Sequence, residues 1–393
     1  MSDAERDDTD GWPDPARVLL ASIAEPADEA LAAAAGSWGA VALLDGLEAG
    51  APEVRAALRG RYAGYSRRLA SARARGGAEG LADRLAAAGV RVALPGGPNW
   101  PTQLDDLAVP PLALFERGAH ALRWVAVRSI AVVGARAATD YGAAAAADLA
   151  GGLTDRGWCV VSGAAYGIDA AAHRGALACG GPTLAVLAGG VTTAYPRAHE
   201  ALIERIAAEG CVVSELPPGE HPTRSRFLTR NRLIAALTAG TVVVEAALRS
   251  GARRTASDAH ALQRVVMAVP GPITSPMSAG SHAELRDRGA IVVTTAEEVI
   301  ASVGPIGQLE WEPGPNAGEV RPLDGLDPDT ARVLDALRTE RSRGVSAVAA
   351  EALLAPAEVV AHLGLLTALG HAERLGGDGP PTWRRANGSR AGA

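Results

Sequence analysis

The sequence predicts an α/β protein: a parallel, Rossmann-like sheet with helices on both faces, flanked by a small helical domain and a tail in winged-helix order. Three observations carry that prediction. Between residues 91 and 303, short Val- and Ile-rich runs alternate with helical stretches, most of ten or more residues, as strands joined by crossover helices do. Before them, the chain is rich in Ala and Leu at helical spacing. After them, a Pro- and Gly-rich stretch precedes a tail with its own apolar pattern.

Taken in order, residues 1–90 read as an acidic lead followed by helices carrying Val18, Leu19, Leu20, Ile23, Leu31, Val41, Leu43 and Leu44. Residues 91–303 hold strands expected over 129–133, 159–162, 183–187, 212–214, 241–245, 265–269 and 290–293. Trp100 and Tyr141 are expected to pack rather than bind. Residues 304–325 form the linker, with Glu312-Pro-Gly-Pro at its centre. In the tail, residues 326–385, Asp327 or Asp329 caps a first helix (Val333, Leu334, Leu337) and Ser346 a second. Pro356 opens a third, carrying Val359, Val360, Leu363, Leu365 and Leu366. A hairpin of 371–375 and 382–385 follows, although a plain helical dimerisation tail fits the same pattern.

Composition narrows the function. The net charge is −6, yet seven arginines and a single acid, Glu245, lie between Arg224 and Arg254, with Phe227 among them. A basic cluster with an aromatic inside an acidic chain suits a polyanion that also stacks, and single-stranded nucleic acid fits best. All 38 basic residues are arginine, the bias of a GC-rich genome, and arginine grips phosphate well. Cys159, Cys179 and Cys211 have no C-x-x-C spacing, which rules out a zinc ribbon. No metal or cofactor is expected. The polar, acidic first residues and the lack of a long apolar run predict a cytoplasmic protein without a membrane span.

Ligands of open α/β sheets bind beyond the carboxyl ends of the strands. Five such ends carry glycine or small polar residues: Val133-Gly134-Ala-Arg136, Ser162-Gly163-Ala-Ala-Tyr-Gly167-Ile-Asp169, Leu187-Ala-Gly189-Gly190, Ser214-Glu215 and Ala246 to Gly251. None reads as G-x-G-x-x-G or as a P-loop, which disfavours a dinucleotide or NTPase site. Asp169 and His173 are spaced as an acid/base pair. A helix-dipole acid beside a histidine bonded to backbone is the simpler reading. Glu245 is expected as the buried counter-ion of Arg230 or Arg232.

These segments resemble the DNA-processing protein A family (DprA, also called Smf). The resemblance covers nearly the whole chain and is strongest from Trp100 to Val299. It rests on Asn99-Trp-Pro-Thr-Gln-Leu, Pro110-Pro-Leu-Ala-Leu-Phe-Glu-Arg-Gly118, Ile130-Ala-Val-Val-Gly-Ala-Arg136 and Val161 to His173. Further matches are Ala194-Tyr-Pro196, Ser214-Glu215, Phe227-x-x-Arg-Asn-Arg232, Val244-Glu-Ala246, Ser250-Gly251 with Thr255-Ala256, and Val269-Pro-Gly271. It implies an extended Rossmann domain, a preceding SAM-like or helix-hairpin-helix-like domain and a following winged helix. It also implies a non-catalytic homodimer that binds and protects single-stranded DNA and helps load RecA recombinase in natural transformation and recombination.

The DNA-binding candidates are Gly134, Arg136, Ser162, Gly163, Gly167, Gly189, Arg224, Phe227, Arg230, Asn231, Arg232, Ser250, Gly251 and Thr255, of which Arg136, Arg224 and Phe227 match family positions. Asp169, His173, Glu215 and Glu245 are structural candidates. Arg136, Arg224 and Arg230 are expected to face phosphates. Phe227 is expected to stack on a base, with a gap-filling role as the alternative. The chain departs from the family at Tyr166, Ala188 and His199. A nucleotide hydrolase of the lysine-decarboxylase-like group is the competing class. Ser250-Gly-Ala-Arg-Arg-Thr255 stands where those enzymes carry Pro-Gly-Gly-x-Gly-Thr.

Overall fold

The computed structural model describes residues 14–304, 327–376 and 380–386. The acidic lead and all but the first residue of the expected linker fall outside them. The chain divides into two units, residues 1–311 and 312–393.

The first unit opens with six helices: α1 (Pro15–Ile23), α2 (Glu29–Trp38), α3 (Ala40–Ala49), α4 (Pro52–Leu58), α5 (Tyr62–Ala74) and α6 (Gly77–Ala87). Leu19, Leu20, Leu31, Leu43, Leu47, Leu58 and Leu69 close a core between them, as their spacing predicts. Val41 is exposed instead. The other face of α1 is apolar too, and Val18 and Ala21 join Phe115, Leu187 and Ile203 beside the sheet.

Nine strands build that sheet: β1 (Arg91–Ala93), β2 (Leu114–Gly118), β3 (Ser129–Val133), β4 (Cys159–Ser162), β5 (Thr183–Val186), β6 (Cys211–Ser214), β7 (Gly240–Val243), β8 (Val265–Ala268) and β9 (Ile291–Val292). Their order is β1-β2-β6-β5-β4-β3-β7-β8-β9. From β6 to β9 every pairing is parallel. The central strands are apolar on both sides, as burial under helices on both faces requires. On one face lie α7 (Leu122–Val127), α11 (Arg224–Leu237) and α12 (Gly251–Ala261); on the other lie α8 (Asp140–Asp155), α9 (Ile168–Ala178) and α14 (Ala296–Val303). Helices α10 (Glu200–Glu209) and α13 (Ala279–Arg288) complete the unit.

The sheet is not wholly parallel. β1 and β2 add an antiparallel edge that the sequence reading lacks. The β2 signal is hidden because fully buried Glu116 interrupts its apolar run. The carboxylate accepts from Arg91 Nε at 2.9 Å and from the Leu122 amide at 3.1 Å.

The second unit comprises α15 (Pro328–Asp335), β10 (Arg343–Gly344), α16 (Val345–Ala352), α17 (Pro356–Ala368), β11 (Ala372–Leu375) and β12 (Thr382–Arg385). The strands pair antiparallel in the order β10-β12-β11. Val333, Leu334, Leu337, Val348, Val359, Leu363, Leu366 and Trp383 form the core. Asp327 caps α15 through the Asp329 and Thr330 amides, both at 3.1 Å. Ser346 does not cap α16, because the helix starts one residue earlier and Gly344 holds that position. Val360 and Leu365 point outward. Among the described residues no single helix is long and apolar enough to cross a membrane.

Candidate nucleic-acid interface

β3 and β7 are neighbours, and the sheet runs away from them in opposite directions. Such a reversal parts the loops beyond the carboxyl ends and leaves a crevice. Here it is an open cavity of about 300 Å³. Gly134, Ala135 and Arg136 from the β3 turn line it, facing Ala247, Arg249, Ser250 and Gly251 from the segment after β7. Asp169, Phe227, Leu228, Arg230, Asn231 and Thr255 complete the wall.

Close backbone packing shapes the floor. Gly167 has φ +75°, and a Cβ there would lie 2.2 Å from the Ala135 carbonyl oxygen, so the β4–α9 turn fits against the β3 turn only with glycine. A Cβ on Gly163 would sit 2.5 Å from the Arg230 guanidinium. That guanidinium is buried; it donates to the carbonyls of Gly163, at 3.1 Å, and Val186, and to Asn231 Oδ1 at 3.2 Å. Arg230 is therefore spent on backbone acceptors, which corrects its expected role at phosphates. Burial lowers its pKa to about 10, with the Asp169 charge opposing, so it stays cationic at neutral pH.

Asp169 accepts from the amides of Gly163 (3.2 Å) and Ala165 (3.4 Å), pinning the turn before its own helix. Burial pushes its carboxyl upward against the pull of Arg230. His173 is fully buried and donates from Nδ1 to Thr183 Oγ1 at 2.8 Å, because that hydroxyl already donates to the Val160 carbonyl. Its expected backbone partner is thus a hydroxyl. Desolvation holds its pKa at about 3. It sits in the floor, not at the cavity.

Two further expectations change. Glu245 is not the counter-ion of Arg230 or Arg232. It accepts from the Thr139 amide at 2.9 Å and hydroxyl at 2.6 Å, and so fixes the start of α8. Arg232 instead grips Glu215 from Nη2 (2.7 and 2.6 Å) and the Val109 carbonyl from Nη1 (3.0 Å). Burial raises the Glu215 pKa while Arg232 opposes it. Ser162 donates to the Val132 carbonyl at 2.7 Å and is unavailable to a ligand. Gly189 lies against Glu220 and Pro222, apart from the cavity.

The basic cluster is mostly neutralised by acids, some near in sequence and some distant. Arg226 pairs with Glu25 (3.0 Å) and Glu220 (2.8 Å), Arg253 with Glu284 (2.8 Å) and Arg254 with Asp258 (3.0 Å). With Arg230 and Arg232 also occupied, Arg224 and Arg249 remain exposed and unpaired among the described residues. Arg136 joins them from the β3 turn, also exposed and unpaired. Arg224 begins α11 outside the cavity lining. Asn231 donates to the Gly251 carbonyl at 3.2 Å, and Ser250 Oγ caps α12 by accepting from the Ala252 amide at 3.3 Å. Thr255 is buried at the wall.

Phe227 is half-buried, 5.3 Å from the Tyr195 ring and 4.9 Å from the Arg136 guanidinium carbon. Buried Trp100 packs as expected; Tyr141 is exposed, and its hydroxyl donates to the Pro270 carbonyl at 2.5 Å. The sequence reading assigned no site role to Arg249, Leu228 or Tyr195. Arg249 was visible within the basic cluster. Tyr195 was visible only as part of the Ala194-Tyr-Pro196 motif, with nothing local to place it near Phe227.

The fold and the cavity define a Rossmann-like protein with a crevice at the switch point of its sheet, lined by Arg136, Arg249 and Phe227. The profile of the family described as DNA recombination-mediator protein A matches residues 91–304. A putative DNA processing protein DprA of Mycobacterium tuberculosis H37Rv is 51% identical over 264 residues, 67% of either chain. The DNA processing protein DprA of Streptococcus pneumoniae R6 is 39% identical over 202 residues, 51% of this chain and 70% of that one. An X-ray structure of DprA from Streptococcus pneumoniae superposes with a TM-score of 0.61 at 28% identity, covering 74% of this chain and 99% of that one. The chain belongs to the DNA recombination-mediator protein A family.

Proposed function

We propose that this chain is a DNA-binding recombination mediator that holds single-stranded DNA across the carboxyl edge of its sheet. The observation that carries the reading is the pair of unpaired, exposed arginines that line the switch-point cavity, Arg136 and Arg249, with exposed Arg224 at the start of α11 outside that lining, in a chain of net charge −6. In an acidic protein most of whose clustered arginines are internally paired, cations left exposed at one crevice mark where phosphates go. Gly134, Asn231, Ser250, Gly251 and Thr255 would line the path of the strand, and Phe227 would lend apolar area to a base.

The protein would act by binding rather than by turnover. It would protect the strand and help load RecA recombinase as a homodimer in the cytoplasm, in transformation and recombination. Residues 91–303 would be the DNA-binding domain and residues 1–90 a separate helical domain. Residues 326–385 would be a winged helix, which their helix and strand order supports. The test is equilibrium binding of matched single- and double-stranded oligonucleotides across a salt series. Tighter binding of the single strand, weakening linearly in log salt, is expected; equal affinity for both, or none, would overturn the reading.

A further inference from the structure

The chain has two phenylalanines and five tyrosines, and one tyrosine, Tyr195, packs against the cavity-lining Phe227. Phe115 is fully buried, and Tyr65 lies in the helical core. Tyr62 donates to the Leu47 carbonyl at 3.0 Å and exposed Tyr141 to the Pro270 carbonyl at 2.5 Å. Tyr166 packs edge-on to His199 at 4.8 Å. Tyr166 is 47% exposed and its hydroxyl, like that of Tyr195, is unbonded among the described residues, so what sets Tyr195 apart is its neighbour, the cavity-lining Phe227. Tyr195 is 49% exposed, and its ring packs against Phe227 at 5.3 Å with the planes tilted by 55°. Phe227 in turn lies under Arg136 at 4.9 Å.

Phe227, at the cavity wall, therefore has both the Arg136 guanidinium and the half-exposed Tyr195 ring as neighbours. We propose that Tyr195 extends the base-stacking surface of this site beyond Phe227, the ring on which it packs. The inference rests on the single-strand reading above. A tyrosine there suits a sequence-tolerant site, because every base offers a π-face and the ring asks for no particular hydrogen-bond pattern.

The experiment compares binding of a thymidine oligomer with that of an abasic oligomer of equal length, which keeps the phosphates and removes the bases. The full chain should prefer the thymidine oligomer by about five- to a hundredfold, the range expected for one stacked base. Tyr195→Ala should reduce that preference while leaving the salt slope and melting temperature close to those of the parent. Tyr195→Phe should restore it. If Tyr195→Ala keeps the preference intact, or the parent has none, Tyr195 is not part of the stacking surface. If the parent binds neither oligomer, the single-strand reading itself falls, and this inference falls with it.

Discussion

Arg224 and Arg230 lie six residues apart on one helix, carry the same charge and read alike in the sequence, yet the fold treats them oppositely. Arg224 begins α11 exposed and unpaired among the described residues, whereas Arg230 is buried and bonded to the Gly163 turn and the end of β5. The same division separates Arg249 and Arg136 from Arg226, Arg232, Arg253 and Arg254. What distinguishes the two sets is the presence of an internal acceptor, which a count of charges does not reveal. An arginine with such an acceptor contributes to the fold; Arg136, Arg224 and Arg249 have none among the described residues.

The comparison breaks hardest at Arg230. Arg230→Ala would leave Asp169 buried without its compensating charge and two carbonyls without donors. Removing one partner of such a buried charged arrangement costs about 3–5 kcal/mol. Denaturant unfolding should report that loss, while Arg224→Ala should unfold like the parent.

A second effect concerns the floor alone. The His173 pKa of about 3 lies below the usual 6.5, so the unfolded chain takes up a proton that the folded chain refuses. Stability is then full above pH 6.5 and falls as pH drops through the window below it. At pH 5 the cost is about 2 kcal/mol. Asp169, whose carboxyl is pushed upward, opposes this trend as it protonates. Unfolding midpoints at pH 7.5 and 5 should show His173→Gln losing less than the parent over that interval.

The smallest effect is expected from the tail. A chain ending near Gly304 should bind single strands within about twofold of the full chain, because few contacts are expected to cross between separately folded units. Titration of the two chains side by side checks this. A large loss would make the tail part of the primary site.

How much was legible follows from the range of each interaction. The parallel strands were readable because runs such as Ile130 to Val133 are apolar at every position. β2 was not, because Glu116 meets its partners only after the chain folds back. The cavity's position followed from glycine turns at strand ends. The fate of the arginines did not, since Arg226 finds Glu25 201 residues away and Arg230 reaches Gly163 67 residues away. Glu245 looked like a counter-ion for the same reason: its partner Thr139 is 106 residues distant. Local pattern showed where cations concentrate, and pairing, short-range for Arg254 with Asp258 and long-range for Arg226 with Glu25, decided which of them are neutralised.

The most direct test of that division is the salt dependence of single-strand binding in single-alanine variants. For Arg136, Arg224 and Arg249, each substitution should reduce the slope of log affinity against log salt by about 0.7, the loss of one phosphate contact on a single strand. For Arg254, exposed but paired with Asp258 at 3.0 Å, the slope should not change. Unchanged slopes for the first three, or an equal reduction for Arg254, would contradict the assignment of the phosphate contacts.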